Sequence, residues 1–149
     1  MARRILPLPG LCLLLTAFTG SAPALAEPVG GCDLETVKGP ALTQCLTAAE
    51  KQSTADLALK LQGVLASIAT RKGVFDTQRA RWKNSLTISQ EAWERFRNDE
   101  CQNVAPFEGQ SLSTSALRNR VAAFEAKLIC TIEMNTARGA DLARRYPNE

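Results

Sequence analysis

Four cysteines, Cys32, Cys45, Cys101 and Cys130, constrain the fold of this chain more than any other feature of its sequence. The chain has no histidine, and these cysteines lack the close spacing of zinc ligands, so we expect disulfides rather than a metal site. Four cysteines allow three pairings, and the sequence alone does not choose among them. The two pairs of cysteines nearest in sequence, Cys32–Cys45 and Cys101–Cys130, are the favoured pairing. Each disulfide would add at most about 3–4 kcal/mol of stability.

The first 26 residues have the pattern of a cleavable export signal. Arg3 and Arg4 precede an apolar run, and the small residues Ala24 and Ala26 fit the site of a signal peptidase. A membrane anchor needs about 20 apolar residues, whereas this run is shorter and is interrupted by prolines. We therefore predict cleavage after Ala26, which also removes the fifth cysteine, Cys12.

Residues 27–149 are predicted to form a single domain, because they are enough for one modest core. Of the 18 basic residues two lie in the signal, so 16 basic and 15 acidic residues remain and the net charge is +1. This near-neutral balance argues against nucleic acid as a partner, since phosphate binding needs clustered positive charge. No second segment is apolar enough to span a membrane, and we predict a periplasmic or extracellular protein.

The first part of this domain has the periodicity of one long amphipathic helix. Apolar residues recur at steps of three and four from Leu42 to Ile68, which is the spacing of one helix face. Pro40 is tolerated in a first helical turn, and Arg71 with Gly73 forms a plausible stop. A polar lead-in with glycines precedes this helix.

Two further helices are predicted, from about Val74 to Cys101 and from about Ala116 to Arg145, with a loop from Gln102 to about Ser115. The apolar face of the second helix consists of Phe75, Trp82, Leu86, Ser89, Trp93 and Phe96. The face of the third consists of Leu117, Val121, Phe124, Leu128, Ile132, Asn135 and Leu142. No stretch has the alternation of a strand. We therefore expect an all-α fold, a small antiparallel three-helix bundle with long helices, stapled by two disulfides.

The residue types of an active site are missing or badly placed. Without histidine there is no Ser-His-Asp or Cys-His arrangement, and the chain has no glycine-rich phosphate loop and no helical metal motif. Asp99 and Glu100 are neighbours, and neighbouring side chains on a helix diverge by about 100°. We predict a protein that is not an enzyme, binds no cofactor or metal, and acts on a protein partner.

Two groups of residues admit both a functional and a structural interpretation. Trp93 and Arg97 share a helix face and are types that dominate binding hot spots. The favoured alternative places Trp93 and Phe96 in the core and pairs Arg97 with a carboxylate on another helix. Asp56 and Arg138 are likewise interpreted as interhelix electrostatics rather than as a functional ion pair.

The loop after the second helix is the candidate partner-binding segment, through Phe107, Glu108, Gly109 and Ser111. Loops held on a rigid scaffold often carry function, and a phenylalanine beside an acidic tip could enter a partner's cleft. The alternative is a simple connector between two helices.

Residues 90–101, QEAWERFRNDEC, resemble the signature Q-x-x-W-x-x-[YF]-R-[DN]-x-E-C of the LprI-type lysozyme inhibitor domain of bacterial exported proteins. Cys32 and Cys45 resemble the early cysteine pair of that family. Residues 55–59 resemble its A-D-x-x-L-N stretch, with Lys60 where the asparagine is expected. Cys130, Arg138 and Leu142 resemble its closing C-x-x-x-x-x-x-x-R-x-x-x-L. The resemblance spans residues 32–142, and its signature residues here are Trp93, Arg97, Glu100 and Arg138.

The resemblance implies an inhibitor that binds and blocks a host or environmental lysozyme. The family usually has a Gly-Gly-Ser turn between its last two cysteines, where this chain has Glu108-Gly109-Gln110-Ser111. Because animal-type lysozymes are strongly basic, binding would need a local acidic patch. The candidates for it are Glu91, Glu94, Asp99 and Glu100, diluted by Arg95 and Arg97. The alternative is a non-catalytic interaction or structural module of the cell envelope with no lysozyme target. The oligomeric state is left open.

Overall fold

The computed structural model describes residues 28–107 and 123–147, and helices dominate both segments. Helix α1 spans Pro40–Thr70, α2 spans Asp76–Asp99 and α3 spans Ala123–Arg145. A five-residue π-helical segment, Glu100–Val104, continues α2. Within these two segments the only β pairing is an isolated bridge between residues 29 and 32. The predicted all-α class with three long helices is therefore confirmed.

The ends of α1 follow the backbone preferences of the residues that flank it. Pro40 occupies the first turn, after Gly39 with a φ of 60°. At the other end Arg71 is extended, and its N–H bonds to the carbonyl of Ile68 at 3.3 Å. Gly73, with a φ of 75°, then takes the left-handed conformation that turns the chain into α2.

The three helices run up, down and up. The Thr43 hydroxyl donates to the Glu125 carboxylate, so the first turns of α1 and α3 lie together and these two helices are parallel. The indole N–H of Trp82 donates to the Tyr146 hydroxyl at 3.4 Å, so the start of α2 meets the end of α3. Each helix is thus antiparallel to the one that precedes it, as predicted for a bundle with short connections.

The core is divided into two apolar clusters. The cluster near the disulfides contains Cys32, Leu42, Leu46, Leu128 and Ile132. The cluster toward the opposite end contains Leu57, Val64, Ile68, Leu86 and Leu142. A layer of polar side chains centred on Asn135 lies between them, because Asn135 falls between Ile132 and Leu142 on the inner face of α3.

Three phenylalanines predicted on the apolar faces are exposed, so that part of the prediction is wrong. Phe75 is 82% exposed, Phe96 is 56% exposed and Phe124 is 54% exposed. Phe75 precedes α2 at the end of the bundle, where no neighbouring helix covers it. Phe96 lies about 100° around the helix from Arg97, and it is Arg97 that faces α3. The inward positions of α2 are Leu86, Gln90, Trp93 and Arg97, and Cys101 continues this face in the π-helical segment.

Both favoured disulfides are present. Cys32 is bonded to Cys45, with 5.9 Å between their Cα atoms, and Cys101 is bonded to Cys130, with 5.4 Å. The first bridge ties the lead-in to α1. The second joins the π-helical segment to α3. Pairing the cysteines nearest in sequence was correct for two different reasons. The lead-in folds back on the start of α1, which brings Cys32 to Cys45, and α3 returns beside α2 and its π-helical extension, which brings Cys130 to Cys101.

The lead-in packs against the groove between α1 and α3 at Gly30. Its φ is 58°, and a Cβ atom there would lie 2.7 Å from the Cβ atom of Ala49 and 3.3 Å from Cγ2 of Ile132. Reciprocal backbone hydrogen bonds between Val29 and Cys32, at 3.1 and 2.9 Å, shape this turn. A side chain at position 30 would therefore push the lead-in away from the bundle.

The predicted start of the loop at Gln102 is wrong, since helical structure continues to Phe107. The expected signal at residues 1–26 and the loop residues Glu108, Gly109 and Ser111 lie outside the described residues. Among the helices that are described, none has the length and apolar character required to cross a membrane.

Candidate functional site

Two guanidinium groups lie over the Trp93 indole ring. The ζ carbon of Arg97 lies 5.4 Å from the ring centroid, and that of Arg138 lies 5.8 Å from it. Arg97 follows Trp93 by four residues on α2, whereas Arg138 reaches across from α3. Cation–π contacts at such distances are attractive, and more so when partly desolvated. The stack therefore fastens α2 to α3.

Asn135 joins all three helices through one amide group. Its side chain is 1% exposed, and its Oδ1 accepts a hydrogen bond from Nη1 of Arg97 at 2.7 Å. Its Nδ2 donates to the hydroxyl oxygens of Ser53 at 3.1 Å and Thr54 at 3.0 Å. A buried amide with partners on two other helices fixes their relative height, because any sliding would leave polar atoms unpaired.

A second buried amide, Gln90, completes the layer. It is 2% exposed; its Oε1 accepts from Nε of Arg138 at 3.0 Å, and its Nε2 donates to Glu94 at 3.1 Å. Arg138 also donates through Nη1 to Asp141 at 3.2 Å. Its Nη2 atom is buried and has no hydrogen-bond acceptor among the residues described.

Three of the four signature residues thus converge on one internal polar layer, namely Trp93, Arg97 and Arg138. Glu100 is half-buried in the π-helical segment, and its side chain makes no hydrogen bond or ion pair with a described residue. The signal for this layer in the sequence was a polar Asn135 on an otherwise apolar stripe, together with the glutamine that begins the signature.

Two expectations about charged partners are wrong. Arg97 pairs with the amide of Asn135 rather than with a carboxylate on another helix. Asp56 accepts from Nε2 of Gln52 at 2.9 Å, while Arg138 bonds to Gln90 and Asp141, so Asp56 and Arg138 do not form an ion pair.

The end of the bundle that carries the disulfides has a different character, with apolar side chains on its surface. Cys101 is fully buried, and the Met134 sulfur packs 3.5 Å from its Sγ and 3.9 Å from that of Cys130. The π-helical segment then turns outward. At this end four large apolar side chains are between 39% and 69% exposed: Phe96, Val104, Phe107 and Phe124. Phe107, at 69%, is the most exposed, so the first residue of the candidate loop is available to a partner.

A groove of about 260 Å³ lies between α1 and α3 on the face away from α2. Polar side chains line it, including Gln52, Asp56 and Lys60, and Asn135 forms part of its floor. The Lys60 side chain crosses Gly139, where a Cβ atom would come within 3.2 Å of it. The groove has no cluster of groups suited to metal binding, and none occurs elsewhere in residues 28–107 and 123–147.

Two carboxylates at opposite ends of the bundle have lowered pKa values. The Thr36 hydroxyl and the Glu35 backbone N–H donate to Asp33, and these bonds lower its pKa. Burial tends to raise the pKa of Asp141, but hydrogen bonds and charge from Arg144 and Arg145 outweigh it, so that pKa is also lowered.

Fold and site together define a small all-α protein, cross-linked by two disulfides, in which three of the four signature residues lie in a polar layer between the helices. Comparison with known families assigns it more closely. The family described as lysozyme inhibitor LprI matches residues 32–142, which is well over half of the chain, and the protein belongs to that family. Comparisons with curated proteins and with solved structures found no match.

Proposed function

We propose that this protein is exported, that residues 1–26 are removed, and that residues 27–149 form one domain that binds a lysozyme and blocks its cleft. Membership of the lysozyme inhibitor family is the observation that carries the proposal. The two disulfides support export, because such bonds persist in oxidising compartments. Localisation in the periplasm or outside the cell follows from the same reasoning. In this proposal the protein itself is not an enzyme.

The distribution of charge supports the disulfide-braced end as the docking surface. On the side of the polar layer that carries the disulfides, the described residues 28–54, 94–107 and 123–135 include eight acidic and five basic side chains, a net charge of −3. On the other side, the described residues 55–93 and 136–147 include four acidic and nine basic side chains, a net charge of +5. Among the described residues, the half that carries the disulfides is therefore acidic, and this half can attract a basic lysozyme.

Three of the four residues expected in an acidic patch lie in this half: Glu94, Asp99 and Glu100. The fourth, Glu91, lies across the polar layer, and Arg95 and Arg97 share the acidic half. Arg97 is withdrawn into the stack with Trp93, so its charge is directed inward rather than toward a partner. The positive charge of Arg97 therefore offsets the neighbouring carboxylates less than its position in the sequence suggests.

Phe107 is proposed as the apolar anchor, with Glu108, Gly109 and Ser111 following it into the cleft. The Cys101–Cys130 bridge fixes the segment that leads to Phe107, so less conformational entropy is lost when a partner binds. A glycosidase cleft contains the two carboxyl groups that cleave the sugar chain, and a loop lying across them excludes substrate. Glu108 and Ser111 would supply polar contacts at the rim.

The test is lysozyme-dependent clearing of a bacterial cell-wall suspension with and without the oxidised protein. We expect slower clearing at near-stoichiometric protein. Phe107→Ser should weaken inhibition by roughly 30-fold, the effect of losing one hot-spot side chain. Phe75→Ser is the matched control, because Phe75 is equally apolar and exposed but lies at the opposite end. Glu108→Ala and Ser111→Ala are the next variants.

The opposite result would favour the alternative function. If a large excess of protein leaves clearing unchanged with both animal-type and goose-type lysozymes, the inhibitor proposal fails. The family and the fold would stand, and the protein would then be better described as an interaction module of the cell envelope.

A further inference from the structure

The end of the bundle opposite the disulfides is strongly basic. It is formed by the turn between α1 and α2, the first two turns of α2 and the last turn of α3. Within residues 71–83 and 141–147 there are two acidic residues and seven basic ones: Arg71, Lys72, Arg79, Arg81, Lys83, Arg144 and Arg145. We refer to this surface as the basic end.

The two carboxylates of the basic end do not neutralise it. Asp76 pairs with Arg79, and Asp141 pairs with Arg144 at 2.6 Å and Arg145 at 3.4 Å. Asp141 also receives the buried Arg138, so three arginines share one carboxylate. Lys72, Arg81 and Lys83 have no ion-pair partner among the residues that the structure describes. These three are therefore available to an external anion.

Aromatic rings are interleaved with these cations. Phe75 is 82% exposed at the tip of the turn, next to Lys72 and Gly73. Behind it the Arg71 guanidinium lies 5.5 Å from the centroid of the Trp82 ring. Trp82 in turn packs on Tyr146, with 6.0 Å between ring centroids. An apolar tip with aromatic and basic residues behind it is typical of proteins that rest in a membrane interface.

We propose that the basic end docks on the anionic phospholipid surface of a membrane, with the Phe75 ring entering the headgroup layer. Lys72, Arg81 and Lys83 contact phosphates around it. A soluble polyanion would satisfy the cations equally well, but it would leave the Phe75 ring in water. The exposed ring gains free energy only in an apolar phase, and that favours lipid.

Docking in this way would orient the protein. The basic end and the disulfide-braced end lie at opposite ends of the helices, so the acidic half would face away from the membrane. The proposal does not depend on lysozyme as the target, because it rests on Phe75 and the cations of the basic end alone.

Co-sedimentation with lipid vesicles tests the proposal on protein purified from the periplasm of an expressing bacterium. We expect binding to vesicles containing phosphatidylglycerol and little binding to pure phosphatidylcholine. Binding should fall as salt is raised, because exposed charges are screened. Equal binding to both vesicles would overturn the proposal, since a retained signal segment or general stickiness would explain it.

Two triple variants separate the basic end from net charge. K72Q/R81Q/K83Q should weaken vesicle binding by on the order of 100-fold, as expected when three cations leave a lipid surface. K38Q/K51Q/R95Q also removes two lysines and one arginine, but from the disulfide-braced half of the bundle, and it should retain most vesicle binding. Equal losses in the two variants would show that net charge, rather than this surface, governs binding. Circular dichroism before sedimentation checks that each is folded.

A substitution at the tip tests insertion directly. Phe75→Trp should give a blue shift of fluorescence on anionic vesicles, and lipids brominated in the acyl chain should quench it. Phe75→Ser should weaken vesicle binding roughly tenfold, while Phe107→Ser should not. An unshifted Phe75→Trp spectrum, or tight binding to soluble polyphosphate without binding to vesicles, would overturn docking on lipid. Cell-wall clearing by lysozyme in the absence of membranes is unaffected by either result, so the two proposals fail separately.

Discussion

Replacing Asn135 by leucine would test whether the polar layer holds the bundle together. Leucine has the same branched arrangement of four side-chain heavy atoms as asparagine, with two methyl groups in place of the amide oxygen and nitrogen, so the change removes the amide contacts without opening a cavity. It leaves the Arg97 guanidinium, which Asn135 now binds at 2.7 Å, without its acceptor on α3. The hydroxyls of Ser53 and Thr54 lose the same partner.

The size of the effect can be estimated from the groups left behind. Arg97 is half-buried and keeps hydrogen bonds from Nε and Nη2 to Asn98 at 3.2 and 2.9 Å, but it loses one hydrogen bond from a charged donor, which is worth about 1.5–3 kcal/mol. Ser53 keeps a hydrogen bond to the carbonyl of Glu50 at 2.9 Å, and Thr54 is exposed, so together they add only about 0.5–1 kcal/mol. We expect Asn135→Leu to lower the free energy of unfolding by about 2–4 kcal/mol.

Asn135→Asp is the matched control. A carboxylate can still accept from Arg97, and each hydroxyl can either keep its present donation to Glu50 or rotate to donate to the carboxylate instead. This variant should remain within about 1 kcal/mol of the unaltered protein at neutral pH. Loss of Asn135 and loss of hydrogen bonding are thereby distinguished.

Urea unfolding of the oxidised protein, followed by far-ultraviolet circular dichroism, provides the measurement. With a slope of about 2 kcal/mol/M, a loss of 2–4 kcal/mol moves the midpoint down by roughly 1–2 M. If Asn135→Leu unfolds within about 0.5 kcal/mol of the unaltered protein, the polar layer does not set the helix spacing. A more stable leucine variant would show that the layer costs stability overall, as buried polar groups sometimes do.

Two further predictions concern the lead-in and acid stability. Gly30→Ala should lower the free energy of unfolding in urea by about 1–3 kcal/mol, because the new Cβ atom would lie 2.7 Å from the Cβ atom of Ala49. Gly31→Ala should cost less, because its Cβ atom would have no neighbour within 4 Å. Equal losses in the two variants would assign both effects to backbone conformation alone. Asp33 and Asp141 have folded-state pKa values below the ordinary 3.8, so their contribution to stability is present above that pH and is lost as the pH falls through the folded values. These two groups should therefore leave the urea unfolding midpoint unchanged from about pH 5 to 8, and the midpoint should fall in more acidic buffer. The fall should be smaller in Asp141→Asn. An equally large fall in that variant would exclude Asp141 as a cause.

Predictions from the sequence were most accurate where they depended on a local feature, such as a helix-ending residue, the spacing of two cysteines or a short motif. Pro40 and Gly73 bracket α1, and the observed bounds Pro40–Thr70 agree with that expectation. The favoured disulfide pairing joined the cysteines nearest in sequence, and it is the one observed: the lead-in folds back on α1, and antiparallel α3 brings Cys130 beside Cys101. Membership of the inhibitor family was likewise visible in the tryptophan–arginine–cysteine segment, and the family match over residues 32–142 confirms it.

Prediction failed where two adjacent residues were equally suited to face inward. Trp93 and Phe96 are three apart, and Trp93 and Arg97 are four apart, so periodicity permits either second residue on the inner face. Hydrophobicity favoured Phe96. The structure instead turns Arg97 inward, because Asn135 offers it a buried acceptor and Trp93 offers it a ring face. No property of α2 alone reveals a partner that lies on α3.

The sequence by itself thus determined the helical class and the three long helices of the described residues, and it favoured the observed disulfide pairing among three possible ones, because these depend on local periodicity, on backbone preferences and on the short separations between cysteines. Only the tertiary structure decided which polar residues are buried together and how charge is divided between the two ends. Both depend on the register of α1, α2 and α3, which brings Arg97, Asn135 and Ser53 to one level. That register is fixed by contacts between residues as far as 82 positions apart, and such contacts leave no local pattern in the chain.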